Sequence, residues 1–175
     1  MVKLLELINK TLDMLYDKEA YIFQNDTSEK NMVFHFSRYF IDMLKDINYN
    51  DLSVDCEYNK NALSEHKYKE IIYNYDKKSH KIYPDLILHK RGSNDSNILA
   101  IEFKKHTNHS RKAIEKDSLK LKALTSEQGE FKYKIGLFIT LGKTRERVKI
   151  KKYINGKEVI ESKNKLNNQK IKCKC

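Results

Sequence analysis

Between Ile82 and Lys105 the chain reads IYPDLILHK, then RGSNDS, then NILAIEFKK. Both outer runs are rich in Ile, Leu, Tyr and Phe, and the Gly, Ser, Asn and Asp between them are turn formers, so the stretch is predicted to be a β-hairpin. Side chains alternate across a strand. In the second strand this puts Leu99, Ile101 and Phe103 on one face and Glu102 and Lys104 on the other. In the first strand Asp85 shares a face with Ile87 and His89, directly after Pro84, a residue that fits only a strand start or an edge. Pairing through the turn lets Asp85 lie beside Glu102 and Lys104. Two close carboxylates raise each other's pKa unless a cation neutralises them, and hard oxygen ligands suit Mg²⁺ or Mn²⁺, which can bind phosphate oxygens in turn.

Pro84-Asp85, followed after the hairpin by Glu102-Phe103-Lys104, resembles the bipartite signature of the PD-(D/E)xK nuclease superfamily, which includes many restriction and repair endonucleases. The phrases SEK (28–30) and VDCEYNK (54–60) look like the flanks of small stand-alone bacterial members, which extends the resemblance from Ser28 to Leu141. It implies a restriction-endonuclease-like core, with a glutamate-bearing helix before the hairpin and a helix and a further strand after it. It also implies that Asp85 and Glu102 hold Mg²⁺ or Mn²⁺, that the Phe103 carbonyl completes the coordination, and that Lys104 orients or activates the attacking water. Glu29 would add an outer ligand.

The rest of the chain supplies the matching parts. Leu5, Ile8, Leu12 and Leu15 fall at helical spacing and predict an amphipathic helix from Val2 to about Lys18. A second helix opens at the N-cap candidates Asp26, Thr27 and Ser28, with Glu29, Val33, Phe36, Phe40 and Met43 on one face. Glu29 has two readings: a capping box with Asp26, or an acid directed at the metal. Leu52 to Tyr58 alternates as a strand; Asp55 and Glu57 on its polar face either approach the site or keep an edge solvated. Asn59 to Lys81 is polar and lysine-rich, with a short helix expected at EHKYKEIIY, and His66 and His80 lack metal-ligand spacing. Ser110 caps a helix from Arg111 to Leu124 with Ile114, Leu121 and Leu124 as its buried stripe. Asp117 is read as half of a surface ion pair, while Lys120 is left open between that pair and nucleic acid. Lys132 to Leu141 has the apolar run of a central strand. Arg145 to Ile160 reads as two strands around Asn155-Gly156, lined by Arg145, Arg147, Lys149, Lys151 and Lys152, which either grip a phosphate backbone or shield an edge.

The order of these elements predicts an α/β (α+β) domain, a central mixed sheet flanked by helices, over residues 1–160, with a polar, partly disordered tail at 161–175. The length of 175 residues and 39% hydrophobic content suit one modest core. A net charge of +11 points to an anionic partner, nucleic acid first and DNA favoured, although abundant Lys, Asn and Ile also follow from an AT-rich genome. Three cysteines without a framework favour a reducing compartment; Cys173 and Cys175 end the tail. No apolar run spans a bilayer and no signal peptide is recognisable, so the expected location is cytoplasmic, away from membranes. The expected function is a metal-dependent phosphodiesterase, endonuclease or exonuclease, with the oligomeric state, a homodimer included, left open. The rival readings are a non-catalytic nucleic-acid-binding module of the same fold, and a protein-interaction domain in which Glu102 pairs with Lys104 on a wet sheet face.

Overall fold

In a computed structural model, residues 2–160 are described apart from 46, 48, 50, 62–67, 74–76 and 109. His66 and the 161–175 tail, with Cys173 and Cys175, lie outside the described residues. Helices α1 (Val2–Lys18), α2 (Ala20–Gln24) and α3 (Glu29–Leu44) come first, followed by strands β1 (Ser53–Asp55), β2 (Glu70–Ile72), β3 (Ser79–Lys81), β4 (Leu86–His89) and β5 (Leu99–Lys105). Helix α4 (Arg111–Thr125), strand β6 (Ile135–Leu141), a 3₁₀ turn (Arg145–Arg147) and strands β7 (Lys149–Ile154) and β8 (Lys157–Val159) complete the chain.

Six strands form a mixed sheet in the order β1-β4-β5-β6-β7-β8. The predicted hairpin supplies its second and third strands: β4 and β5 run antiparallel with Leu86 opposite Ile101 and Leu88 opposite Leu99. Strand β6 lies parallel to β5, from Leu99 opposite Ile135 to Lys105 opposite Leu141. A parallel pair needs a crossover, and α4 is that crossover. The β7–β8 hairpin turns at Asn155 (φ 52°) and Gly156 (φ 74°), the pair of positive φ values that Asn-Gly adopts most readily.

Alternation on β4, β5 and β6 feeds two cores. Leu86, Leu88, Leu99, Ile101, Phe103 and the odd-numbered residues of β6 pack against α1 and α3. Ile87, Ala100, Phe138 and Tyr153 face Leu121 and Leu124 of α4 and the small β2–β3 ribbon. Phe36 and Phe103 meet edge to face with ring centroids 5.0 Å apart, and both are fully buried. Each such side chain contributes about 1.5–3 kcal/mol by leaving water, so α3 is held on the sheet by its Phe36, Phe40 and Val33 stripe.

Three expectations differ from what forms. The 52–58 strand stops at Asp55, because Glu57 takes a positive φ of 49° and turns the chain, which leaves Cys56 exposed. The expected short helix at EHKYKEIIY is not seen among the described residues: Glu70–Ile72 is a strand pairing with Ser79–Lys81, and Ile71 and Tyr73 bury against the α4 core. The Asp26–Glu29 capping box does not form. The N-cap of α3 is Ser28, whose hydroxyl accepts from the Asn31 N–H at 3.2 Å. Among the described residues no helix is long and apolar enough to cross a membrane.

Candidate active site

The polar face of the hairpin opens at the end where β5 and β6 finish. Asp85 stands one register step beyond the Leu86–Ile101 pair, which brings it level with Glu102 on the same face. Its Oδ2 accepts the Phe103 N–H at 2.7 Å, so the carboxylate caps the hairpin just where regular pairing ends. Glu102 is 1% exposed, enclosed between the sheet and α4.

Helix α4 closes the site from above. Its Ser110 N-cap accepts from the Ala113 N–H, as the sequence implies. Nearly three turns on, Lys120 Nζ lies 2.6 Å from Glu102 Oε2, 3.3 Å from Asp117 Oδ1 and 3.3 Å from the Tyr83 carbonyl. Asp117 Oδ2 lies 3.0 Å from Lys104 Nζ, so Asp117 bridges the two lysines. Neither Asp117 nor Lys120 belongs to a surface ion pair; both are buried. The Lys120 ammonium is engaged by Glu102 and Asp117. The signal for both was present in the sequence: 117, 120, 121 and 124 share one helical face with the buried leucines.

Helix α3 closes the other side. Glu29 Oε2 accepts the Lys105 N–H at 2.8 Å and Oε1 lies 3.3 Å from Lys104 Nζ, so Glu29 points into the site rather than back at its own helix. Lys105, which the sequence did not single out, ties the start of α3 to the end of β5: its Nζ reaches the Asp26 and Thr27 carbonyls and the Asp26 carboxylate.

The electrostatics follow from burial and charge count. Burial pushes the Asp85 carboxyl up to about 6, with the Asp117 charge adding to the rise and the Phe103 N–H, Lys120 and Lys104 opposing it. Burial also holds Glu102 well above the usual carboxylate range, against the pull of Lys120. Burial lowers Lys104 and Lys120, but their carboxylate neighbours more than reverse this, so both stay firmly protonated. Four carboxyl groups (Glu29, Asp85, Glu102 and Asp117) thus share two ammonium groups (Lys104 and Lys120). With all six ionised the cluster carries two surplus negative charges. Glu102 Oε1 is buried and has no hydrogen-bond partner, an arrangement that normally costs about 1–3 kcal/mol or more.

That unpartnered oxygen, beside Asp85 and with a surplus of two negative charges, fits a hard divalent cation. Among the described residues no group of three or more His, Cys, Asp or Glu side chains is gathered in metal-holding geometry; the lysines hold the carboxylates instead.

The basic residues of 145–152 do not lie on one face. Register places Lys149 and Lys151 opposite Thr140 and Phe138, on the Glu102 face, and Lys152 opposite Leu137, on the other. Lys151 also pairs with Glu158 at 3.3 Å. Arg145 turns to α1, with Nε 2.7 Å from Asp13 Oδ1 and an Nη 3.0 Å from Asn9 Oδ1, and Arg147 backs onto Gly142. Asp55, on the neighbouring edge strand β1, is held by His89 at 2.9 Å and by Arg91, and takes no part in the cluster.

No known family profile matches the chain, and no curated protein matches it either. Among solved structures, the crystal structure of SSO0001 is similar at 17% identity and a TM-score of 0.36, over 86% of this chain and 65% of that one. The chain thus spans somewhat less than two thirds of that protein's length, and so distant a likeness assigns neither family nor activity.

Proposed function

We propose that the protein is a metal-dependent nuclease of the PD-(D/E)xK kind, with a restriction-endonuclease-like core, hydrolysing phosphodiester bonds of nucleic acid, DNA favoured. The observation that carries this reading is the buried, partnerless Oε1 of Glu102 in a cluster with two more carboxylates than ammonium groups. Asp85, Glu102 and the Phe103 carbonyl would hold Mg²⁺ or Mn²⁺, with Glu29 outside them. The ion would supply Lewis-acid polarisation of the scissile phosphate. Lys104 lies on the open side of the cluster, 13% exposed in its side chain, where its ammonium can orient a water and steady charge developing on phosphate oxygens. Asp117 and Glu29 fix that ammonium from two sides, and Lys120 keeps Glu102 turned into the site.

A second reading has its own support: each lysine is already paired, as in a purely structural ion network that binds nucleic acid or protein without cutting. Incubating the purified protein with labelled single- and double-stranded DNA and RNA, in Mg²⁺, Mn²⁺ or EDTA, separates the two. Metal-dependent cleavage is expected, and Lys104→Ala should lose it by about a hundredfold or more while keeping its fold and most of its substrate affinity. Inactivity of the wild type on every substrate with either metal, or an undiminished Lys104→Ala variant, would leave the non-catalytic reading standing.

A further inference from the structure

Beside Asp85, between α3 and the turn after β1, lies an open cleft of about 250 Å³. Its walls are apolar where they approach α3, formed by Val33, Phe34 and Cys56, and Lys30 and Glu57 pair at 2.8 Å across α3 and the turn. Phe34 is 59% exposed although it belongs to a helix whose other phenylalanines are fully buried. A second exposed ring, Tyr83 at 48%, stands two residues before Asp85, and its backbone carbonyl accepts from Lys120. Two aromatic rings are therefore left in water near Asp85, which with Glu29 lines both the cleft and the carboxylate cluster.

We infer that this cleft receives one unstacked nucleobase from the strand whose phosphate sits at Asp85 and Glu102, so that the substrate is single-stranded nucleic acid or a frayed duplex end. The inference rests on the proposed nuclease site for the position of the phosphate. A base attached to that nucleotide reaches only the immediate surroundings of Asp85, and there the chain offers an exposed ring, an apolar wall, an ammonium donor and a carboxylate acceptor. Every base has a π-face, so stacking on Phe34 accepts any sequence. Lys30 and Glu57, opened from each other, would address the base edge. A base inside an intact duplex is stacked on both faces and cannot enter without leaving its helix.

The chain contains no tryptophan, so Phe34→Trp introduces a single indole at the cleft wall. Its fluorescence is to be followed in EDTA, where no cleavage occurs, during titration with a single-stranded oligonucleotide, the blunt duplex of the same sequence, and a single strand of abasic sugar-phosphate. Quenching by the first alone is the expected result. In parallel, Phe34→Ala should weaken single-strand binding by about 5- to 150-fold and leave duplex binding unchanged. Equal quenching by the duplex or the abasic strand, or unchanged single-strand affinity in Phe34→Ala, overturns the inference even if the protein cuts DNA. Selective quenching without any metal-dependent cleavage would instead keep the base site and remove the nuclease reading.

Discussion

At the scale of single residues, Asp85 carries the clearest energetic signature. An acid whose folded pKa lies above its unfolded value binds more protons folded than unfolded between the two. Stability therefore falls as pH rises from about 3.8 to about 6, and the deficit persists above that window. Asp85→Asn keeps an acceptor for the Phe103 N–H and removes the charge. In EDTA at pH 7.5 it should be more stable than wild type by up to about 3 kcal/mol, with the gap shrinking as the pH is lowered to 4. Urea unfolding at several pH values measures this, and a gap that does not change with pH would mean that ionisation of Asp85 is not its cause. Saturating Mg²⁺ should narrow the gap at pH 7.5, because the wild type alone would gain the ion's binding energy. The alternation that put Asp85, Glu102 and Lys104 on one face was legible, since a period of two admits no other arrangement once the hairpin is accepted. Lys105 was not, because its role rests largely on its backbone N–H and on the Asp26 and Thr27 carbonyls, groups that carry no residue identity.

At the scale of elements, the placement of α4 decides whether the cluster exists at all. Gly136 lets that helix lie close to β6: a Cβ there would stand 3.0 Å from Thr125 Cγ2 and 3.2 Å from Leu121 Cδ2. Gly136→Val must push the C-terminal half of α4 outward. A loss of about 1–3 kcal/mol is expected on chemical denaturation, together with weaker packing of Lys120 on Glu102. Unaltered stability would show that the helix slides without cost. Elements with a strong periodic stripe, α1, α3 and α4, the last two with a serine cap as well, were readable to within a residue or two. The β2–β3 ribbon was not, because each strand is three residues long and gains its burial from Ile71 and Tyr73 meeting a core built by distant segments. Asp117 was misjudged for a related reason. A charged residue on a helix flank reads as solvated until the partner lysine from another element is known to be there.

At the scale of the whole molecule, net charge says less than its distribution. Only Lys149 and Lys151 of the 145–152 segment share the sheet face of Glu102. Replacing both with Ala should reduce the slope of log affinity against log salt for duplex DNA by about 2, whereas Lys152→Ala and Arg145→Ala should leave it almost unchanged. Equal effects from all four would restore the segment to one continuous basic face. Segments distant in sequence meet at the candidate site. Lys105 and Glu29 are joined across 76 positions, and Lys120 and Glu102 across 18. During synthesis, the signature residues Asp85, Glu102 and Lys104 leave the ribosome before α4 and before β6, the strand that must align beside β5. If the protein is the nuclease proposed above, the half-made chain has the hairpin acids without the α4 lysine that holds Glu102, and it should cut no nucleic acid until its last neighbours arrive.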